Sequence, residues 1–350
     1  MRRMICAGFY LKSVMNSEGH ETLEKIFVSR GSKSLDAAKP EALDGVTAQE
    51  TREAISHLMS YWQDYLRSTL LSLACEAVGG DPRLAQRVSI PLILVCGAFD
   101  VHDDIIDNSK LKNSRLTVLG KSGAELTLLA GDVLLIKGLT SITTPLLQEK
   151  VPNETVVAIM NVLRSLLIEL TDGETLELRL RGRMVVTPEE YVKIMRIKAA
   201  DGEAYTRIGA TLGNGTAEEV EALAEYGRLL GLIVILRDDL TDTLDFEAEL
   251  PHRLKHEHIP LPIIYAMNNP MARKIIEPLC QKSHFEKQDV KAIIQTAYEF
   301  GGFKSYEKLI RGLAQDCVKR LNVLPPTEAK KALKIIVNNC LPPSLSNLEF

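Results

Sequence analysis

The chain has 350 residues, a formal net charge of −4, and is 45% hydrophobic, 25% charged and 5% aromatic. These fractions exclude a disordered, collagen-like or disulfide-stapled chain, and the mildly acidic balance argues against a broad nucleic-acid-binding face. Six scattered cysteines without a C-x-x-C pair read as free thiols in a reducing compartment, which places the protein in the cytoplasm.

In chain order, Met1-Arg2-Arg3 resembles a signal start only faintly, because its apolar run ends at Lys12 with no small-residue cleavage site. Residues 1–45 are the least regular, with Ser29 to Lys39 reading as loop, and 46–350 read as one domain. Thr47 and Glu50 form a T-x-x-E capping pattern opening a helix that runs through Trp62. The most apolar stretches, Ile90 to Ala98 and Leu126 to Ile136, read as too short for a membrane span. Thr187-Pro188-Glu189-Glu190 and Thr216 with Glu219 mark two further helix starts. Gly-rich and Pro-containing breaks separate the periodic segments, and no β-hairpin signal stands out. The expected fold is all-α, with ten or more helices around one core.

Two clusters carry the chemistry. Asp103-Asp104-Ile105-Ile106-Asp107 and Asp238-Asp239-Leu240-Thr241-Asp242 are both D-D-x-x-D. One such pattern is expected about 0.04 times by chance at this aspartate frequency, so two are not accidental. The first and last acids of each are four residues apart, on one helical face, where like charges repel. Hard oxygen donors of this kind suit Mg²⁺, which typically bridges one or two carboxylates to substrate phosphates. A solvated acidic face is the bland alternative, but strongly apolar runs precede both clusters.

With its flanks, the first cluster resembles the first aspartate-rich motif of the trans-prenyl diphosphate synthases, the polyprenyl synthetase family of class I isoprenoid synthases. Gly231 to Asp242 resembles the second motif. Leu66 to Leu71, running on to Glu76-Ala77-Val78-Gly79-Gly80, resembles the helix ending in E-A-x-G-G. Ala130 to Leu135 matches A-G-D-x-L-L, and Glu190-Tyr191 to Ala199 resembles E-E-Y…K-T-A. The resemblance implies a homodimer of helical bundles with a deep apolar cavity. Three Mg²⁺ ions would sit on Asp103, Asp107, Asp238 and Asp242, and Asp104, Asp239, Lys198, Lys112 and Arg115 would complete the diphosphate site. An allylic prenyl diphosphate would ionise there and be joined to isopentenyl diphosphate. Phe99 lies where an aromatic limits chain length.

Departures cluster on the acceptor side. Arg67 keeps the family's arginine, but the lysine position is Asp64 and the histidine position is Cys96. An anion at Asp64 should repel a diphosphate. The Arg-Arg pair after the first motif becomes Lys112-Asn113, Phe-Gln before the second becomes Val234-Ile235, and the later Gly-Lys becomes Glu257-His258. Glu174 and Glu177 replace a Gln and an Asp and fit a solvated face equally well. The leading reading is chain elongation. A class I terpene synthase, a prenyltransferase with a different acceptor, and a non-catalytic partner subunit remain as alternatives.

Overall fold

The computed structural model describes residues 23–112, 115–282 and 284–342; Met1 to Arg3, Cys6, Lys12 and Asn113 lie outside them. The described chain is helical almost throughout. Its helices are α1 (Lys33–Leu43), α2 (Gln49–Tyr61), α3 (Leu66–Ala77), α4 (Pro82–Ile106), α5 (Val118–Ser141), α6 (Thr143–Gln148), α7 (Asn153–Leu178) and α8 (Pro188–Lys198). They continue as α9 (Ala200–Leu212), α10 (Ala217–Leu244), α11 (Glu249–His256), α12 (Leu261–Met267), α13 (Pro270–Cys280), α14 (Lys287–Glu299), α15 (Gly302–Arg320) and α16 (Glu328–Asn339).

Four local expectations need correction. Ser29 to Lys39 is not loop: a π-helical turn at Val28–Ser32 runs into α1, whose buried Leu35, Ala38 and Ala42 give it an apolar face. The Thr47 box does not form, because α2 starts two residues later with Ala48 as N-cap and no side-chain cap bond. A two-residue antiparallel ladder pairs β1 (Leu111–Lys112) with β2 (Arg115–Leu116), too short to leave an alternating pattern. Finally, α4 and the stretch Val118–Gln148 are both long and apolar enough to cross a membrane, with windows of mean hydropathy 1.5, although 72% of the α4 window is buried. Isolated Asp and Lys residues do not interrupt such helices as they interrupt a short apolar run.

The other two caps form as read. Thr187 accepts from the Glu190 N–H, and Thr216 and Glu219 exchange bonds at the start of α10.

The described residues divide into two compact units, one from within 1–165, 202–227 and 320–336, the other from within 166–201, 228–319 and 337–350. In the first, α4 is the central core helix. Asp81 caps it, accepting from the Arg83 N–H at 2.9 Å, and Pro82 starts it where a missing N–H costs nothing. Val88, Leu92, Ile93, Leu94, Val95, Ala98 and Val101 are all buried, as α3 and α5 pack against it. Close approach of α4 and α5 depends on two glycines. A Cβ at Gly138 would lie 2.6 Å from the Pro91 carbonyl, and one at Gly131 would lie 2.2 Å from His102 Nε2. In the second unit, α12, α13 and α14 pack together, and α8 packs on α12.

Candidate active site

In the first unit, α4 delivers Asp103 and Asp104 buried at its last turn, and Asp107 forms its C-cap, part-exposed. The short ladder turns the chain so that Lys112 Nζ reaches Asp104 Oδ1 at 2.5 Å. Arg115 lies over the Tyr61 ring, 5.0 Å from its centroid, a cation–π contact. Phe99 is part-exposed between the buried Ala98 and Asp100, one helical turn (~5.4 Å) before Asp103. His102 packs against Gly131, with Nε2 3.4 Å from Asp132.

Asp100 extends the acidic stripe of α4 upstream, as its spacing from Asp103 predicts. It is buried, and Trp62 Nε1 donates to its Oδ2 at 2.9 Å. Burial pushes its carboxyl up to about 7, with the Arg67 and Lys112 charges pulling the other way. Burial, then the Asp104 and Asp100 charges, also raises the Tyr61 hydroxyl.

The acceptor-side positions do not line an open pocket. Asp64 and Arg67 have no side-chain exposure, and Arg67 Nη1 donates to Asp64 Oδ2 at 2.5 Å. Cys96 is buried with Sγ 3.0 Å from the Tyr205 hydroxyl. That hydroxyl donates to the Leu92 carbonyl at 2.9 Å, so the thiol is left as the donor to Tyr205. The expected repulsion at Asp64 therefore takes another form: its charge is spent within the protein on the one cation retained there.

In the second unit, Asp238 is part-exposed and accepts from Arg237 Nη2 at 2.9 Å. Asp239 and Asp242 are buried. Arg253 Nη1, from α11, donates to Asp239 Oδ1 at 2.5 Å and to Asp242 Oδ2 at 3.1 Å. Tyr191 donates its hydroxyl to the other Asp239 oxygen. Burial works against the Arg253 charge, but Asp239 and Glu257 hold it above its ordinary range. Burial and the Arg253 charge together lower His258 to about 4, so its ring is neutral at pH 7.

Lys198 is buried at the end of α8, with Nζ 2.9 Å from Glu174 and also paired with Glu177. Gly173 makes room for it, since a Cβ there would stand 2.8 Å from Lys198 Cγ. His258 Nε2 is 2.7 Å from the other Glu177 oxygen. The two glutamates thus serve an internal ion-pair network and are not a solvated face. Sequence reasoning missed Arg253. No local spacing marks it, because its partners Asp239 and Asp242 lie fourteen and eleven residues away.

The donors of both clusters are carboxylates, which suits Mg²⁺. Among the described residues, no three or more His, Cys, Asp or Glu converge as a metal cage. One or two carboxylates per ion, with water and substrate phosphate completing the shell, is the Mg²⁺ arrangement these residues fit.

Residues 48–297 match the polyprenyl synthetase family model. The sequence is 26% identical over 312 residues to the short chain isoprenyl diphosphate synthase of Methanothermobacter thermautotrophicus, covering 88% of this chain and 94% of that protein. It is 28% identical over 309 residues to the geranylgeranyl diphosphate synthase of Methanosarcina mazei, covering 87% and 94%. The fold is that of the geranylgeranyl pyrophosphate synthetase of Pyrococcus horikoshii, with a TM-score of 0.81, 22% identity and coverage of 92% of this chain and 99% of that one. The decaprenyl diphosphate synthase of Rhodobacter capsulatus matches at a TM-score of 0.80 and 21% identity, covering 92% and 98%.

Proposed function

This chain belongs to the polyprenyl synthetase family, and on that premise we propose that it is a prenyltransferase that extends an allylic prenyl diphosphate with isopentenyl diphosphate. The single observation that carries the reading is the pair of complete D-D-x-x-D clusters, each at the polar end of a long apolar helix. The names of the relatives, isoprenyl and geranylgeranyl diphosphate synthases, support it.

Asp103, Asp107, Asp238 and Asp242 would hold Mg²⁺, which supplies Lewis acidity toward a leaving diphosphate when bound. Asp104, Asp239, Lys198, Lys112 and Arg115 complete the diphosphate contacts in this proposal, and Phe99 floors the allylic chain pocket. The allylic carbon–oxygen bond breaks with its electron pair on the pyrophosphate. The acceptor double bond then forms the new carbon–carbon bond, and pyrophosphate removes the proton. The protein's share is positioning and electrostatic stabilisation. The proposal includes a homodimer, supported by exposed Leu128, Leu129 and Ile136 on α5. It also includes a cytoplasmic location, supported by buried free thiols at Cys75, Cys96, Cys280, Cys317 and Cys340.

A second reading is favoured by the buried Asp64–Arg67 pair: the allylic cation meets an acceptor that carries no diphosphate, or rearranges and loses a proton within one molecule. Labelled allylic diphosphates of several lengths, incubated with and without isopentenyl diphosphate, separate the two. Elongated products that require isopentenyl diphosphate support elongation, whereas hydrocarbon or alcohol products formed without it support the second reading. EDTA, Asp103→Ala, Asp107→Ala and Asp238→Ala should each reduce turnover by orders of magnitude without unfolding the protein. Full turnover under these conditions would sink the metal reading altogether.

A further inference from the structure

A chain that places three carboxylates within one helical turn must neutralise them. The second cluster draws its positive charge from the protein itself. Asp238 holds Arg237, while Asp239 and Asp242 share one guanidinium nitrogen of Arg253. Both oxygens of Asp239 are engaged, one by Arg253 and the other by Tyr191. Arg253 is itself almost fully buried, at 4% exposure, with Nη2 3.2 Å from His258 Nε2 and Nε 3.5 Å from Glu257. A divalent cation taking the Asp242 oxygen that accepts from Arg253 would stand against a positive charge in a buried setting, where Coulomb repulsion is weakly screened. The guanidinium and the metal therefore compete for that Asp242 oxygen.

We infer that Arg253 is a built-in counter-cation that occupies Asp239 and Asp242 in the metal-free protein, and that it must be displaced before Mg²⁺ can bind the second cluster. The inference rests on the proposed metal role of that cluster.

The carrier suits the task. Arg253 sits on α11, eight residues long, whose N-cap Ala248 makes no side-chain cap bond. Leu250 and Arg253 are the buried residues of that helix, and the other six are part-buried or exposed. Moving it exposes little apolar surface. The consequence is a lowered intrinsic metal affinity, because only the fraction of molecules with the arginine released is competent to bind. A diphosphate arriving with the metal would offer the displaced guanidinium an anionic partner, so metal and diphosphate should bind cooperatively.

The test measures binding, with no turnover needed. Mn²⁺ or Mg²⁺ is titrated into the wild-type, Arg253→Gln and Arg253→Lys proteins by calorimetry, with and without inorganic pyrophosphate, and metal-free melting temperatures are recorded. Arg253→Gln should bind metal alone roughly tenfold or more tightly than wild type, and pyrophosphate should enhance its metal affinity less. Its metal-free melting temperature should drop by several degrees, since buried carboxylates lose their cation, and added metal should restore it. Arg253→Lys should lie between the two. In wild type, Mg²⁺ alone at high concentration should speed amide exchange across residues 249–256. Metal affinity unchanged or weakened in both variants, with exchange across α11 unaffected by metal, would overturn the inference while leaving the metal site intact. Absence of metal binding by all three proteins even with pyrophosphate would overturn it together with the proposed metal role.

Discussion

Asp64 and Arg67 are locked to one another, Arg67 Nη1 donating to Asp64 Oδ2 at 2.5 Å with neither side chain exposed. The cation that the family would offer an acceptor diphosphate already has an anion three residues away. Wild-type protein should therefore use isopentenyl diphosphate poorly, with a KM well above the micromolar range. Asp64→Ala alone should destabilise the protein by about 3–5 kcal/mol, because it takes a hydrogen-bonded carboxylate from a buried guanidinium, and Asp64→Ala with Arg67→Ala should recover much of the loss. Denaturant titration reads the stability cycle and steady-state kinetics reads the KM. An ordinary micromolar KM would show that the acceptor is held by other residues.

Phe99 lies one turn before Asp103 on α4 and is part-exposed, while the residues on either side of it are buried. Phe99→Ala should open space for additional five-carbon units and lengthen the chains formed or accepted. Chromatography of the dephosphorylated products measures this. An unchanged chain-length distribution would assign Phe99 to ordinary packing.

Asp100 should make stability fall with pH. Its folded-state carboxyl is raised to about 7 from an unfolded value of 3.8. The folded protein therefore holds a proton that the unfolded chain gives up, a contribution fully present below the unfolded value and lost as pH rises through 7. Asp100→Asn can still accept from Trp62 and carries no charge. Its stability relative to wild type should rise between pH 4 and 7 by on the order of 4 kcal/mol and level off above. Urea unfolding at pH 5 and pH 8 checks this, and an identical difference at both values would mean that Asp100 ionises normally.

Leu129 and Ile136 are seven residues apart on α5, hence on one face, and are 50% and 60% exposed. If a second copy covers them, Leu129→Asp with Ile136→Asp should produce a monomer in sedimentation velocity. A pair of charges with no effect on the oligomeric state would place the interface elsewhere.

The clusters, the helical class and the caps at Thr187 and Thr216 are determined by the sequence alone, because each is a relation among residues at most four apart. Spacing along a helix puts Asp103 with Asp107 and Asp238 with Asp242 whatever surrounds them. The family resemblance likewise implies that Asp64 and Cys96 depart from the acceptor pattern. What those residues touch was decided by tertiary structure. Arg253 reaches Asp239 across fourteen residues, Trp62 reaches Asp100 across thirty-eight, and Tyr205 reaches Cys96 across more than a hundred. No periodicity encodes such pairs. They follow from the need of every buried charge or polar group for a partner once the apolar faces of the helices have packed. Within the fold Asp104, Asp238, Asp239 and Asp242 pair with Lys112, Arg237 and Arg253, because a carboxylate drawn out of water needs a positive partner that packing supplies.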